Sequence, residues 1–94
     1  KVCVPIELKS TEAYLEITKQ VQRYVDWLRQ YYLPNRPSDL EPIIISRQIQ
    51  NKTTQNYSDL LQEFNTFNTQ NNLRLRYIEF NVINQNINFQ EVIY

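Results

Sequence analysis

The run IIIS, residues 43 to 46, is a short continuous apolar stretch that follows a loop with three prolines. Such a run lacks the alternation of a half-exposed strand and is typical of a strand buried on both faces, as in a parallel sheet. Parallel neighbours are joined by crossover connections that usually contain a helix. We therefore expect a helix and a further strand before this run.

Residues 2 to 8 alternate with period two, which predicts a strand. Val2, Val4, Ile6 and Leu8 share one face, and the other face carries Cys3, Pro5, Glu7 and Lys9. The proline removes one ladder hydrogen bond, which favours a sheet edge or a bulge at this point.

A long helix is predicted from Thr11 to about Leu33, with Ser10 or Thr11 as its cap and Pro34 ending it. Its apolar side chains recur at three- and four-residue steps, which predicts a buried stripe. The stripe comprises Tyr14, Ile17, Val21, Tyr24, Val25, Leu28 and Tyr32. With the loop at residues 34 to 42, strand, helix and buried strand form a βαβ unit whose crossover should be right-handed.

Beyond the isoleucine run, a second helix fits about Thr54 to Asn68, with an apolar stripe of aromatic and leucine side chains. Residues 73 to 83 alternate as a strand, residues 84 to 86 suit a turn, and residues 87 to 94 predict a last strand. The expected fold is α/β, a mixed sheet with flanking helices in the order β-α-β-α-β-β.

Composition excludes several classes of function. The chain of 94 residues has a formal net charge of zero, no histidine and no glycine. Zinc sites of the usual kind, histidine triads, P-loops and dinucleotide fingerprints therefore have no basis within it. The single cysteine forms no internal disulfide, and no apolar run is long enough to span a membrane. We expect one domain, or a piece of one, in the cytoplasm, without membrane contact.

Glu7 and Lys9 lie two residues apart at the end of the predicted first strand. A spacing of two directs both side chains to the same face, roughly 6.5 to 7 Å apart along the chain. A carboxylate is a hard oxygen ligand for Mg²⁺ or Mn²⁺, and an ammonium can orient a water or neutralise a phosphate. The backbone carbonyl of Leu8 is a further candidate ligand. A solvated surface ion pair is the alternative.

The predicted first helix carries QVQRY, residues 20 to 24, in which Gln20 and Tyr24 lie one turn apart. Both fall on the flank of the apolar stripe, from where they would face the end of the first strand. The alternatives are a core tyrosine with its hydroxyl at the surface and an ordinary polar flank glutamine.

The order of three segments resembles the C-terminal half of a PD-(D/E)xK nuclease core. The segments are IELK on the first strand, QVQRY on the predicted helix and PIIIS at the second strand. Gln20 and Tyr24 are similar to the Q-x-x-x-Y motif of RecB-like nucleases, including the nuclease domains of type I restriction motor subunits. The resemblance covers about residues 2 to 49. It implies that residues 1 to 94 are the C-terminal part of a single nuclease-like domain, a restriction-endonuclease-like core without its N-terminal part.

The resemblance also implies a function, the metal-dependent hydrolysis of DNA phosphodiesters in restriction, defence or DNA repair. Glu7 and the Leu8 carbonyl would hold Mg²⁺ or Mn²⁺, Lys9 would serve the attacking water, and Gln20 and Tyr24 would position DNA or the metal site. The family places a metal-binding aspartate on the preceding strand. Every aspartate of this chain follows Glu7, so that ligand would lie upstream in a longer polypeptide.

Partners follow from the same resemblance. DNA would contact Lys19 and Arg23, although a solvated helix face explains these cations as well. We expect the sheet to be completed by upstream sequence, by another chain or by a homo-oligomer, and the 94-residue segment alone to lack nuclease activity. The rival function is a degenerate nuclease-like module that binds DNA or a protein without cutting. A thioredoxin-like scaffold with chance motifs is a third alternative.

Overall fold

The computed structural model describes residues 2–32 and 39–94 and shows two helices packed on a four-stranded mixed sheet. The strands are β1 Ile6–Glu12, β2 Ile43–Arg47, β3 Arg76–Ile83 and β4 Asn86–Val92. The helices are α1 Ile17–Trp27, which continues as a π-helical turn over Leu28–Tyr32, and α2 Gln55–Asn71. The predicted mixed α/β class is confirmed.

The sheet has the order β1-β2-β3-β4, with β1, β2 and β3 parallel and β4 antiparallel to β3. Ile44 of β2 pairs with Glu7 on one side and with Tyr77 on the other. The prediction of a parallel strand at the isoleucine run is thus confirmed. The β3–β4 hairpin turns through Asn84 and Gln85, whose φ angles of 50° and 66° suit a tight hairpin turn made without glycine.

Both helices cover the same face of the sheet. Ile17, Val21 and Val25 of α1 are buried, and they meet the buried Leu60 and Phe64 of α2 in one core. The sheet contributes two central side chains to that core, Ile44 and Tyr77. Burial of each such side chain stabilises the fold by about 1.5–3 kcal/mol, which makes this layer the main source of stability.

The opposite sheet face, which we call the open face, carries apolar side chains that remain accessible. Leu8 is 67% exposed and Phe89 63%. Ile43 and Ile45 are only half-buried. The expectation that the isoleucine run is buried on both faces is therefore wrong within the described residues, because both helices lie on one side.

The first strand and first helix have boundaries that differ from the prediction. The chain stays extended through Ser10 and Thr11 to Glu12, which pairs with Arg47, so the predicted helix cap lies inside β1. Helix α1 begins only at Ile17, with Glu16 at its N-cap and no side-chain capping bond. Thr11 is β-branched and suits a strand as well as a cap, which is why local pattern misplaced the boundary.

The predicted stripe of α1 is too wide. Tyr14, Tyr24 and Tyr32 are 37%, 44% and 54% exposed, and Tyr14 precedes the helix. The predicted end of the helix at Leu33 and Pro34, with most of the proline loop, lies outside the described residues. The buried set of α1 is narrow because a helix at the edge of a two-layer domain has only one covered side.

Helix α2 agrees with the prediction and extends three residues beyond its predicted end. The Thr54 hydroxyl accepts a hydrogen bond from the Tyr57 amide at 3.1 Å, which caps the N-terminus. Asn72 ends the helix in the left-handed region, with φ 53°. In the part of the chain that the structure describes, neither helix has the length and apolar character needed to cross a membrane.

A polar contact joins α1 and its π-helical turn to the C-terminal end of α2. The amides of Gln22 and Asn71 exchange hydrogen bonds of 2.8 and 2.7 Å. Arg29, in the π-helical turn, donates to the Asn71 carbonyl at 2.7 Å. These bonds fix α1 and its π-helical extension against the C-terminal end of α2.

Candidate active site

Glu7 lies on the helix-covered face of β1, which is the edge strand of the described sheet. It is 7% exposed, although Ile6 and Leu8 on either side of it are largely exposed on the open face. The apolar side of β1 is thus the accessible one, and its charged side is the covered one. A buried carboxylate is costly unless it is paired, so its partners define the site.

Lys9 is the direct partner of Glu7. Its Nζ lies 3.2 Å from Oε1 of Glu7 and 5.9 Å from the centroid of the Tyr14 ring. The hydrogen bond to Glu7 is the main reason that the pKa of Lys9 is raised above 10.5. Lys9 is therefore an ammonium at neutral pH, which donates hydrogen bonds and positive charge and does not act as a base in this arrangement.

Tyr24 reaches the same carboxylate from α1. The hydrogen-bonding contact with Glu7, followed by the negative charge of Glu7, raises the pKa of the Tyr24 phenol above its ordinary value of 10.0. The phenol thus stays protonated and offers a hydrogen-bond donor beside the carboxylate. Glu7, Lys9 and Tyr24 form what we call the Glu7 cluster.

Gln20 reaches this cluster only through Tyr14. Its side-chain amide donates to the Tyr14 hydroxyl at 2.5 Å, and the Tyr14 ring lies against Lys9. Tyr14 was predicted as a stripe residue, and its position beside Lys9 was missed. Tyr14 lies in the short connection between β1 and α1. Its position beside Lys9 could have been predicted only if the end of β1 had been placed correctly at Glu12.

The remaining predicted residues lie around the cluster. Leu8 projects its side chain to the open face, and the role predicted for its carbonyl stays a prediction. Lys19 and Arg23 are exposed on α1, and the charge of Arg23 acts on the Tyr24 phenol. Glu7 is the second residue of β1, five residues before the strand ends, so the prediction that it lies at the C-terminal end of the strand is wrong.

The metal site predicted at Glu7 can be compared with the side chains of residues 2–32 and 39–94. These residues contain no group of three or more histidine, cysteine, aspartate or glutamate side chains that could hold a metal ion. Glu7 and the Leu8 carbonyl are oxygen donors of the type that Mg²⁺ prefers, and they would be two of its roughly six ligands. The donor chemistry fits Mg²⁺, with Glu7 as the protein carboxylate and the Leu8 carbonyl as a second oxygen donor.

A second buried carboxylate, Glu79 on β3, was not predicted. It is 4% exposed and accepts hydrogen bonds from Lys52 Nζ at 2.6 Å, Tyr77 Oη at 3.0 Å and the Ile49 amide at 3.0 Å. Its alternation with Leu75 and Tyr77 could have indicated an inward position. We call Glu79, Lys52 and Tyr77 the Glu79 cluster; β2 separates its strand from β1.

Comparison with known proteins finds no similar family, protein or structure. No family model matches the chain, and neither a curated protein nor a solved structure matches it. The function therefore has to be argued from the Glu7 cluster and its place in the sheet.

Proposed function

We propose that this chain is part of a metal-dependent nuclease domain of the PD-(D/E)xK type, which hydrolyses DNA phosphodiesters in restriction, defence or DNA repair. The observation that carries the proposal is that Lys9 Nζ lies 3.2 Å from the Glu7 carboxylate, while Tyr24, from a separate helix, is near enough for the same carboxylate to raise its pKa. This arrangement supports the resemblance for Glu7, Lys9 and Tyr24, whereas Gln20 donates to Tyr14 instead.

The position of the cluster supports an incomplete restriction-endonuclease-like core. β1 is an edge strand of the described sheet, and Glu7 lies on its helix-covered face. A neighbouring strand would lie about 4.8 Å from β1 and would bring its side chains next to Glu7. We propose that an upstream segment, or another chain, pairs there and supplies the missing aspartate.

The residues have separate roles in this proposal. Glu7 and the Leu8 carbonyl would hold Mg²⁺ or Mn²⁺, which when bound lowers the pKa of water and polarises a phosphoryl oxygen. Lys9, as an ammonium, orients the attacking water and neutralises charge that develops on the phosphate. The protonated Tyr24 phenol donates to a phosphate oxygen, and Gln20 fixes Tyr14 against Lys9.

The decisive experiment measures cleavage of DNA by the full polypeptide with Mg²⁺ or Mn²⁺, with and without a chelator. Glu7→Gln keeps the side-chain shape and removes the charge, and it should abolish cleavage while folding and DNA binding persist. The matched control is Glu63→Gln, since Glu63 is an exposed glutamate on α2. Undiminished cleavage by Glu7→Gln would reject the metal-binding role.

Lys9 and Tyr24 separate the chemical step from binding. Lys9→Ala should lower the single-turnover cleavage rate far more than DNA affinity, because its charge is needed most in the transition state. Tyr24→Phe and Gln20→Ala should impair cleavage with little change in thermal stability. DNA binding without any metal-dependent cleavage by the full polypeptide would instead support the degenerate, non-catalytic module.

A further inference from the structure

Helix α1 and its π-helical turn present three accessible aromatic side chains, Tyr24, Trp27 and Tyr31, which we call the aromatic ridge. Trp27 is 57% exposed and Tyr31 65%. Their ring centroids lie 5.7 Å apart with the planes tilted by 46°. The spacing of three and four residues brings them to one side of the helix. Large aromatic faces are thus held in a fixed array at the surface.

An apolar groove of about 350 Å³ runs between this ridge and the beginning of the chain. It is lined by Cys3, Val4, Pro5, Tyr24, Trp27 and Leu28. Tyr24 belongs to both the groove and the Glu7 cluster, since it lines the groove and the Glu7 carboxylate raises the pKa of its phenol. Whatever occupies the groove therefore lies directly beside that cluster.

The charges next to the groove select the kind of occupant. The cations Lys9 and Arg23 both act electrostatically on Tyr24. Arg23 is exposed, and it lies one helical turn from Lys19 and from Trp27. Flat aromatic surface beside the exposed cations Lys19 and Arg23 complements a ligand with a flat π-face and a negatively charged backbone. An apolar protein segment would match the groove and would not use the cations.

We propose, on the basis of the proposed function, that the aromatic ridge and its groove bind an unpaired nucleobase of single-stranded nucleic acid. The base stacks on Trp27, and its phosphates run past Arg23 toward Lys9 and Glu7. Bases within a duplex do not present their faces to a side chain. The substrate class is therefore a single strand, or the unpaired end of a duplex, rather than an intact double helix.

The test measures binding of a fluorescently labelled oligothymidylate to the full polypeptide in chelator, where cleavage cannot contribute. A blunt duplex of the same length serves as the competing ligand. Trp27→Ala should weaken single-strand binding by roughly tenfold or more, because each base stacked on an aromatic ring contributes about that much. Trp27→Phe keeps a ring and should recover part of the affinity. The control is Phe89→Ala, an equally exposed aromatic on the opposite sheet face.

The outcomes separate this inference from the proposed function. Loss of single-strand affinity in Trp27→Ala, with Phe89→Ala unchanged and duplex binding weaker than single-strand binding, supports the ridge even if no metal-dependent cleavage occurs. Unchanged single-strand affinity in a folded Trp27→Ala overturns it, even if Glu7→Gln abolishes cleavage. Equal affinity for duplex and single strand overturns it as well, as does binding of a protein partner that Trp27→Ala alone disrupts.

Discussion

The Glu7 and Glu79 clusters contain the same three residue types, a buried glutamate with a lysine and a tyrosine, and they lie on the same face of one sheet. Glu79 accepts three hydrogen bonds, one of them from the backbone, and its tyrosine is fully buried. Glu7 is paired with the side chains of Lys9 and Tyr24, and Tyr24 is 44% exposed. The residue types are the same, and the clusters differ in the exposure of their tyrosines; the lysines, Lys9 and Lys52, both reach solvent.

The pKa values of Tyr77 and Tyr24 are raised for different reasons. Burial is the main reason that the pKa of Tyr77 is raised, whereas the Glu7 carboxylate is the main reason that the pKa of Tyr24 is raised. A buried carboxylate that accepts three hydrogen bonds, one of them from the backbone, fixes structure, because removing it leaves buried donors unpaired. A cluster whose partners reach solvent can exchange them for a ligand. The contrast makes Glu79 a structural residue and Glu7 a candidate for function.

The largest expected effect is on stability. Glu79→Ala leaves the Tyr77 hydroxyl and the Ile49 amide without their acceptor in the interior, so it should lower the free energy of unfolding by about 3 kcal/mol. Glu7→Ala, at the sheet edge, should lower it by less than about 1 kcal/mol, since Lys9 and Tyr24 then turn to water. Urea unfolding of the full polypeptide compares the two. Equal losses would remove the distinction between the clusters.

Substitution of the lysines should also lower the free energy of unfolding more in the Glu79 cluster than in the Glu7 cluster, and the difference should be smaller than that between the glutamate substitutions. Lys52→Met leaves the Glu79 carboxylate buried without a cation, which should cost roughly 2 kcal/mol of unfolding free energy. Lys9→Met also removes the cation from a buried carboxylate, Glu7, but on an edge strand of the described sheet, so it should lower the unfolding free energy, and with it the urea midpoint, by less than Lys52→Met does. A larger midpoint shift for Lys9→Met than for Lys52→Met would contradict the structural assignment of Glu79.

Alkaline pH provides a third comparison. The pKa of Tyr77 in the folded state lies above its ordinary value of 10.0. The stability that comes from keeping it neutral is complete below about pH 10 and is lost as the pH rises toward the folded-state pKa, at about 1.4 kcal/mol per pH unit. Tyr77→Phe should flatten this loss above pH 10. Unfolding curves at several alkaline pH values that stay parallel to wild type would refute it.

The smallest effect is expected for Tyr24→Phe. The ring is half-exposed and makes no essential core contact, so the thermal unfolding midpoint should stay close to wild type. Absorbance titration of tyrosine should lose one phenol that ionises above pH 10, because the hydroxyl beside Glu7 is removed. A strong drop in the midpoint would show that the Tyr24 hydroxyl is structural.

Sequence pattern anticipated the features that depend on local periodicity. The isoleucine run predicted the parallel strand, and the stripe of α2 with Thr54 before it predicted that helix within a few residues. Glu7, Lys9 and Tyr24 were chosen from the sequence and meet in the structure. The spacing of these residues along the strand and the helix was enough to predict their proximity. Glu7 and Lys9 had only to lie on the helix-facing side of β1, and Tyr24 on the strand-facing side of α1.

The features that depend on tertiary packing were missed. Ser10 and Thr11 fit a helix cap and a strand equally well, and pairing of Glu12 with Arg47 decided for the strand. Two partners of Glu79, Lys52 and the Ile49 amide, were not predictable, because they come from a loop that is distant in the sequence. The covered side of β1 was also not predictable, since alternation identifies two faces and does not say which one the helices choose.

The open face has a consequence for how this domain's stability should be measured. Any molecule that binds the folded state through Leu8, Phe89 and their neighbours adds RT ln(1 + [L]/Kd) to its free energy of unfolding, about 2.7 kcal/mol at one hundred times Kd. An unfolding midpoint would then depend on protein or partner concentration. A midpoint measured at one concentration would therefore report ligand binding as well as the intrinsic stability of the fold.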